Sequence, residues 1–142
     1  MFNELDLRNE LASGARRPSE LVEYYLSVIA AKEPDVQAWT WLDGDDVLRQ
    51  AVALEQMRAS GRPIGPLFGI PVGIKDIIDT KDIPTQNGTI LDEGRVPTSD
   101  AFVISQLRRA GAIIMGKTVT TELAFFTPGK TRNPWNPDHT PG

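Results

Sequence analysis

Two lysines stand where residue type and spacing suggest chemistry. Lys75 lies in the run GPLFGIPVGIKDIIDT, residues 65–80, the most apolar neighbourhood of the chain. Stripping water from an ammonium disfavours its charged form, and full burial lowers a lysine pKa by up to about 3 to 5, which turns a surface cation into a base. Residues 72–75 have the composition of a strand. Alternation puts Ile70, Val72 and Ile74 on one face and Pro71, Gly73 and Lys75 on the other. The lysine therefore shares its face with the smallest neighbours, which leaves room for backbone or a ligand near the carboxyl end of a strand. Spacing alone favours a plainer role, a lysine that reaches solvent and pairs with Asp76 or Asp79. Pro71 places this strand at an edge or delays its start.

The second lysine, Lys117, closes GAIIMGKT, residues 111–118, which matches the phosphate-binding pattern GxxxxGK[ST] letter for letter. A phosphate loop needs a strand before the first glycine, open backbone N–H groups between the glycines and a helix opening at Lys-Thr. Here the four residues between the glycines are themselves an apolar strand. A nucleotide-binding module at Gly111 to Thr118 is the alternative function, and Lys117 with Thr118 reads as a strand-end turn. The remaining polar candidates are weaker. His139 sits in a proline-rich tail, Glu122 reads as a helix-dipole partner before an acid catalyst, and GxSxG is absent. Ser99 and Ser105 fall in or beside a helix, and neither is assigned as a nucleophile.

The elements that must position these groups follow from the apolar spacing. Helices are expected over residues 5–13, as a surface flap or docking arm, over 18–32 and over 43–59. The second carries Leu21, Val22, Tyr25, Val28 and Ile29 on one face and is broken by Glu33-Pro34-Asp35; the third buries Val47, Leu48, Ala51 and Leu54. Between them AWTW suits a short extended segment, with Trp39 and Trp41 serving packing. From Gly65 the texture changes to short apolar runs between turn residues, the mark of a parallel-sheet architecture. Residues 84–94 read as a loop or short hairpin, and a helix from residues 97–100 to Gly111 shows Phe102, Val103, Leu107 and Ala110 on its apolar face. A strand over 112–115 completes a βαβ unit. A short helix over 122–126 and an irregular tail follow. The division is a helical scaffold, 1–64, and a βαβ segment with tail, 65–142, in one α/β domain.

Composition narrows the classes. The 142 residues carry a net charge of −4 with no clustered basic surface, which argues against nucleic-acid or anionic-lipid partners. With no cysteine, disulfides, thiolate nucleophiles and Cys-based zinc sites are excluded, and the one histidine, His139, cannot make a metal site. No apolar run approaches a membrane span, and MFNELDLRNELASG has acids where a signal peptide has bases, so cytoplasmic residence is expected.

Taken together, GPLFGIPVGIKDIIDT, LRRAGAIIMGKT and TRNPWNP resemble the amidase signature family, serine hydrolases that use a Ser, cis-Ser, Lys triad. The resemblance runs from about Leu5 to the end and rests on three separated motifs in the family's order. It implies helices around a mixed, mostly parallel sheet and hydrolysis of a small-molecule carboxylic amide through an acyl-enzyme, without metal or organic cofactor. The catalytic lysine of the family's GIPV-x-x-KD motif matches Lys75. A neutral Lys75 would take the nucleophile's proton through the cis-serine and return it to the departing amine. In the family the HTPG tail leads into the Gly/Ser-rich segment that carries both serines, so this chain is expected to be the N-terminal portion, inactive alone. Its expected partners are the missing C-terminal part or, as a noncatalytic interaction fragment, a second copy. Phe125, Phe126 and Thr127 stand where amidotransferase members of the family carry Ser/Asn-rich sequence. They favour a stand-alone amidase with an apolar acyl pocket, and core packing of the two rings competes with that role.

Overall fold

The computed structural model describes residues 4–141; residues 1–3, at the start of the acidic N-terminal stretch, and residue 142 lie outside them. The chain runs α1 (Glu4–Ser13), α2 (Pro18–Val36), β1 (Trp39–Leu42), α3 (Gly44–Ala59), β2 (Pro71–Lys75), α4 (Phe102–Arg109) and β3 (Ile113–Thr118), with single 3-10 turns at Ile90–Asp92 and Glu122–Ala124. The three strands form one mixed sheet in the order β1-β3-β2. β1 pairs with β3 antiparallel and β2 pairs with β3 parallel. β2, α4 and β3 make the expected βαβ unit, and Pro71 is the first residue of an edge strand, where its missing N–H leaves no gap in the ladder.

Helix α2 does not stop at Glu33-Pro34-Asp35 but continues through Pro34 to Val36. The reason lies in Glu33. Its carboxylate accepts from the backbone N–H of Ala38 and of Trp39, at 3.0 and 2.9 Å, and its carbonyl accepts from Gln37. Gln37 takes the left-handed conformation that ends the helix. A side chain inside the last turn thus launches β1, and Pro34 is close enough to the end to be tolerated. Asp43 caps α3 by accepting from the N–H of Asp46.

Each face of the sheet has its own core. On one face Val22, Val47 and Ala51 of α2 and α3 bury Ile113 and Met115. On the other Ile104 of α4 covers Ile74, Ile83 and Ile114. The buried stripe of α4 is therefore Ile104 with partly buried Leu107, not the expected Phe102 and Val103, which are exposed. An eight-residue helix that starts at Phe102 turns the row 101, 104, 107 inward, and periodicity over so few residues does not separate adjacent rows. Helix α1 is no free flap: Leu7 and Leu11 are buried against Leu21 and Phe68.

Two bulges set the phase of the sheet. One, between Trp39 and Trp41, sends the two indoles to opposite cores. The other leaves Met115 without a partner opposite β2, so Ile114 and Lys117, three residues apart, both turn toward the α4 side. β1 ends opposite Gly116, and beyond it the side-chain amide of Gln50 serves as a surrogate strand. It donates to the carbonyl of Ile114 and accepts from its N–H, both at 3.0 Å.

The indole of Trp39 lies across the sheet over two glycines. A Cβ on Gly73 would meet Trp39 Cη2 at 3.2 Å, and one on Gly116 would meet the Trp41 carbonyl oxygen at 2.3 Å. Much of the room expected beside Gly73 for a ligand is filled by Trp39. Gly116→Ala is expected to lower the unfolding free energy by about 2 kcal/mol in urea titration, since backbone oxygen cannot yield. Gly44→Ala, whose Cβ meets nothing nearer than 3.6 Å, should be neutral or gain a few tenths of a kcal/mol.

Candidate functional site

Lys75 is the last residue of β2, and its backbone is held on every side. Its carbonyl accepts from Ile78 N–H at 3.0 Å, the next N–H, of Asp76, donates to Thr118 of β3 at 2.9 Å, and the Asp76 carbonyl accepts from Asn87 at 2.9 Å. The Lys75 side chain, by contrast, is exposed, and among the described residues it forms no ion pair or hydrogen bond. The expected pairing does not occur. Asp76 turns to the opposite face, and Asp79 is engaged by Arg95 in a bidentate pair at 2.7 and 2.8 Å that holds its carboxyl below the usual range. Nor is Lys75 desolvated within these residues.

The lysine buried in apolar surroundings is Lys117, which is 0% exposed in the central strand. It is neither a strand-end turn nor a phosphate ligand. Its Nζ donates to the carbonyl of Ile78, to Thr85 Oγ1 at 2.8 Å and to Thr80 Oγ1 at 3.4 Å, and lies 4.0 Å from Asp76 Oδ1. The Asp76 carboxylate, 1% exposed, also accepts long bonds from Gln86 N–H at 3.3 and 3.4 Å. With residues 113–118 extended and the ammonium enclosed, the open nest of a phosphate loop is absent from this segment. The signal in the sequence is a lysine within the apolar run of β3, with Asp76, Thr80 and Thr85 as the polar residues able to satisfy it.

Burial dominates both charges. It lowers Lys117 from its ordinary value near 10.5 to about 8, against the attraction of Asp76 and then Asp79, with Arg95 adding to the fall. It likewise raises Asp76, opposed by the Gln86 N–H, the Lys117 charge and the Gly88 N–H. At 4.0 Å the mutual attraction is the smaller effect for each, and both groups are pushed toward their neutral forms.

Phe125 and Phe126 are 73% and 84% exposed, with ring centroids 4.4 Å apart, so they pack on each other and not in a core. Thr127 is exposed as well, and its carbonyl accepts from Glu122 N–H. This segment is tied to the Lys75 end of the sheet through Asn87, whose carbonyl accepts from Leu123 and whose N–H donates to Asp76. Glu122 accepts from Thr89 Oγ1 at 2.9 Å. Leu123 and Ala124 both sit at positive φ, 49° and 58°, a strained pair beside a candidate site. On the Lys75 face of the sheet an apolar groove of about 580 Å³ is lined by Tyr25, Ile29, Trp39, Pro71, Gly73 and Met115. Among the described residues no three His, Cys, Asp or Glu side chains converge to hold a metal, and no helix is long and apolar enough to cross a membrane.

Comparison with known proteins adds the following. The family model described as Amidase matches residues 20–142. A glutamyl-tRNA(Gln) amidotransferase subunit of Rhodopirellula baltica is 36% identical over 96% of this chain and 29% of its own length. Its counterpart in Thermobifida fusca is 38% identical with the same coverage. Among solved structures, the native peptide amidase of Stenotrophomonas maltophilia superposes with a TM-score of 0.87 at 34% identity, over 96% of this chain and 30% of that one. The chain therefore spans about 30% of the length of the relatives it matches.

The Lys117 site has a measurable pH signature. Between about 8 and 10.5 the unfolded chain holds a proton at this lysine that the folded chain has released, so the unfolding free energy rises with pH across that window. The stability is fully present above about 10.5 and lost as pH falls through about 8, a change of about 3 kcal/mol. Urea titrations from pH 7 to 10.5 should show this rise in the wild type and not in Lys117→Met. At pH 7 that substitution should itself cost about 3 kcal/mol or more, because it leaves Asp76 buried without its cation.

Proposed function

We propose, from the premise that this chain belongs to the amidase signature family, that it forms the N-terminal part of one amidase domain and contributes Lys75 as the proton-relay base of a Ser, cis-Ser, Lys triad. The substrate class is the carboxylic amide. The observation that carries this reading is the contrast between the two lysines. Lys117 is enclosed and saturated by residues 76–85, whereas Lys75 projects from a fixed backbone at the carboxyl end of a strand with no partner among the described residues. A general base must keep its nitrogen available and its position defined. Lys75 meets the first, and its fixed backbone supports the second.

Amide hydrolysis demands two proton movements, one away from the attacking hydroxyl and one onto the departing nitrogen. In the proposed reaction the nucleophilic serine gives its proton to the cis-serine and that serine gives its own to neutral Lys75, and the oxygen attacks the carbonyl carbon. As the C–N bond breaks, the same relay run backwards protonates the amine, leaving an acyl-serine for water to hydrolyse. Both serines and the oxyanion donors belong to sequence beyond these residues. The 142 residues alone are accordingly proposed to be inactive, and the remainder of the same domain is their first partner. Phe125, Phe126 and Thr127 are proposed to line the acyl side of the substrate pocket, an apolar pair anchored to the Lys75 end of the sheet through Asn87. Cytoplasmic residence accords with this reading.

A second reading is that the complete protein is a subunit of an amidotransferase, which its 36% and 38% identity to proteins of that name favours. The two diverge in substrate. Full-length protein assayed against simple aryl and peptide amides and against glutamine should prefer the former if the stand-alone reading holds. In that assay Lys75→Ala should reduce kcat by about 10³-fold with or without chelator. Turnover that survives the substitution would remove Lys75 from the mechanism.

A further inference from the structure

We propose that Lys117 is the positioning residue for Lys75, clamping the loop that leaves the catalytic strand from the opposite face of the sheet; this rests on the reading of Lys75 as the relay base. All four groups gathered by the Lys117 ammonium, on Asp76, Ile78, Thr80 and Thr85, belong to the ten residues that follow Lys75. One of them is the carbonyl of Ile78, the residue whose N–H is bonded to the Lys75 carbonyl. The turn from Lys75 to Ile78 is thus held at both ends, by β2 and by a cation on β3. Asp76, adjacent to Lys75, is held by the Gln86 N–H and by the same cation, so the peptide linking the two residues has little freedom.

A buried ammonium is a poor choice for stability alone. An apolar side chain of similar volume fills such a space at lower cost, because desolvating a charge pair often exceeds what its attraction returns. An ammonium differs in drawing several acceptors to one point, which fixes a loop's course and not merely its compactness. Precision matters here because a lysine nitrogen is remote from its own backbone. A turn of about 10° at the Cα carries an extended lysine Nζ by about 1 Å, and a misplacement of that size can reduce a rate by about 10²-fold. The bulge at Met115 belongs to the same device, since it brings Lys117 round to the α4 side.

The test uses the full-length amidase, with kcat, KM and melting temperature measured for Lys117→Met, for Lys117→Met/Asp76→Asn and for Lys75→Ala in parallel. Lys117→Met should lower kcat by about 10²-fold with KM within about threefold, and lower the melting temperature. Adding Asp76→Asn removes the stranded carboxylate, so the melting temperature should recover while kcat does not. Recovery of kcat together with stability, or an undiminished kcat in Lys117→Met, overturns the proposal and leaves Lys117 a purely structural residue. Should Lys117→Met fail to fold, Thr85→Val keeps both charges and removes one acceptor. It should reduce kcat by about fivefold to tenfold at unchanged KM, and an unchanged kcat is again fatal. Lys75→Ala separates the two ideas: turnover that persists there refutes the relay assignment itself, whatever Lys117 does.

Discussion

The desolvated ammonium of Lys117 is the constraint around which the βαβ half of this chain is arranged. A cation with no access to water must be given acceptors, and the nearest backbone is already committed to the β3 ladder. The acceptors therefore come from the loop that follows β2, which is drawn back beneath α4 instead of spreading into solvent. The rest follows from that recruitment. Thr85 and Thr80 become buried, Ile83 between them joins the α4 core, and Arg95 seals the return of the loop through Asp79 and the Thr85 carbonyl.

The opposite face of the sheet follows a different rule. Gly73 and Gly116 let the Trp39 indole cross the strands closely, and the face is apolar, with Met115 and Ile113 packed under α2 and α3. Lys75 projects at the end of this face. The two sides of one short sheet thus divide the work: charge and hydrogen bonds fix the loop on one side, while close apolar contact fixes the strands on the other. A side chain at the boundary has its backbone fixed from both sides.

Much of this is legible in the sequence. The α/β class, the order of the elements, the edge position announced by Pro71 and the α3 cap at Asp43 all follow from local rules that tertiary contacts do not override. The losses have identifiable causes. Local signals end α2 too early because a proline near a helix end is an ambiguous stop, and the Glu33 carboxylate that resolves it acts across five and six residues. They misplace the inward row of α4 because eight residues give barely two turns. Lys117 reads as a strand-end turn because the apolar run ends at Met115 whereas the strand continues to Thr118, and because a bulge changes which face a residue occupies without changing any residue type. For Lys75 the apolar run suggests a dry nitrogen, but its neighbours along the strand point to alternate sides and do not enclose it.

The pairing of β1 with β3 has a further consequence, for the order in which the molecule assembles. Thr40 Oγ1 bonds to the Lys117 carbonyl across 77 residues of chain. On a ribosome adding about 5 to 20 residues per second, the first strand waits about 4 to 15 seconds for its neighbour to be made. During that interval α2 and α3 can pair as a local helical hairpin, with Trp39 held beside them and no sheet to cover. The loop that will enclose Lys117 is likewise synthesised before the lysine it serves. Of the three strands among the described residues, the one made last is the central one, and its arrival joins β1 to β2.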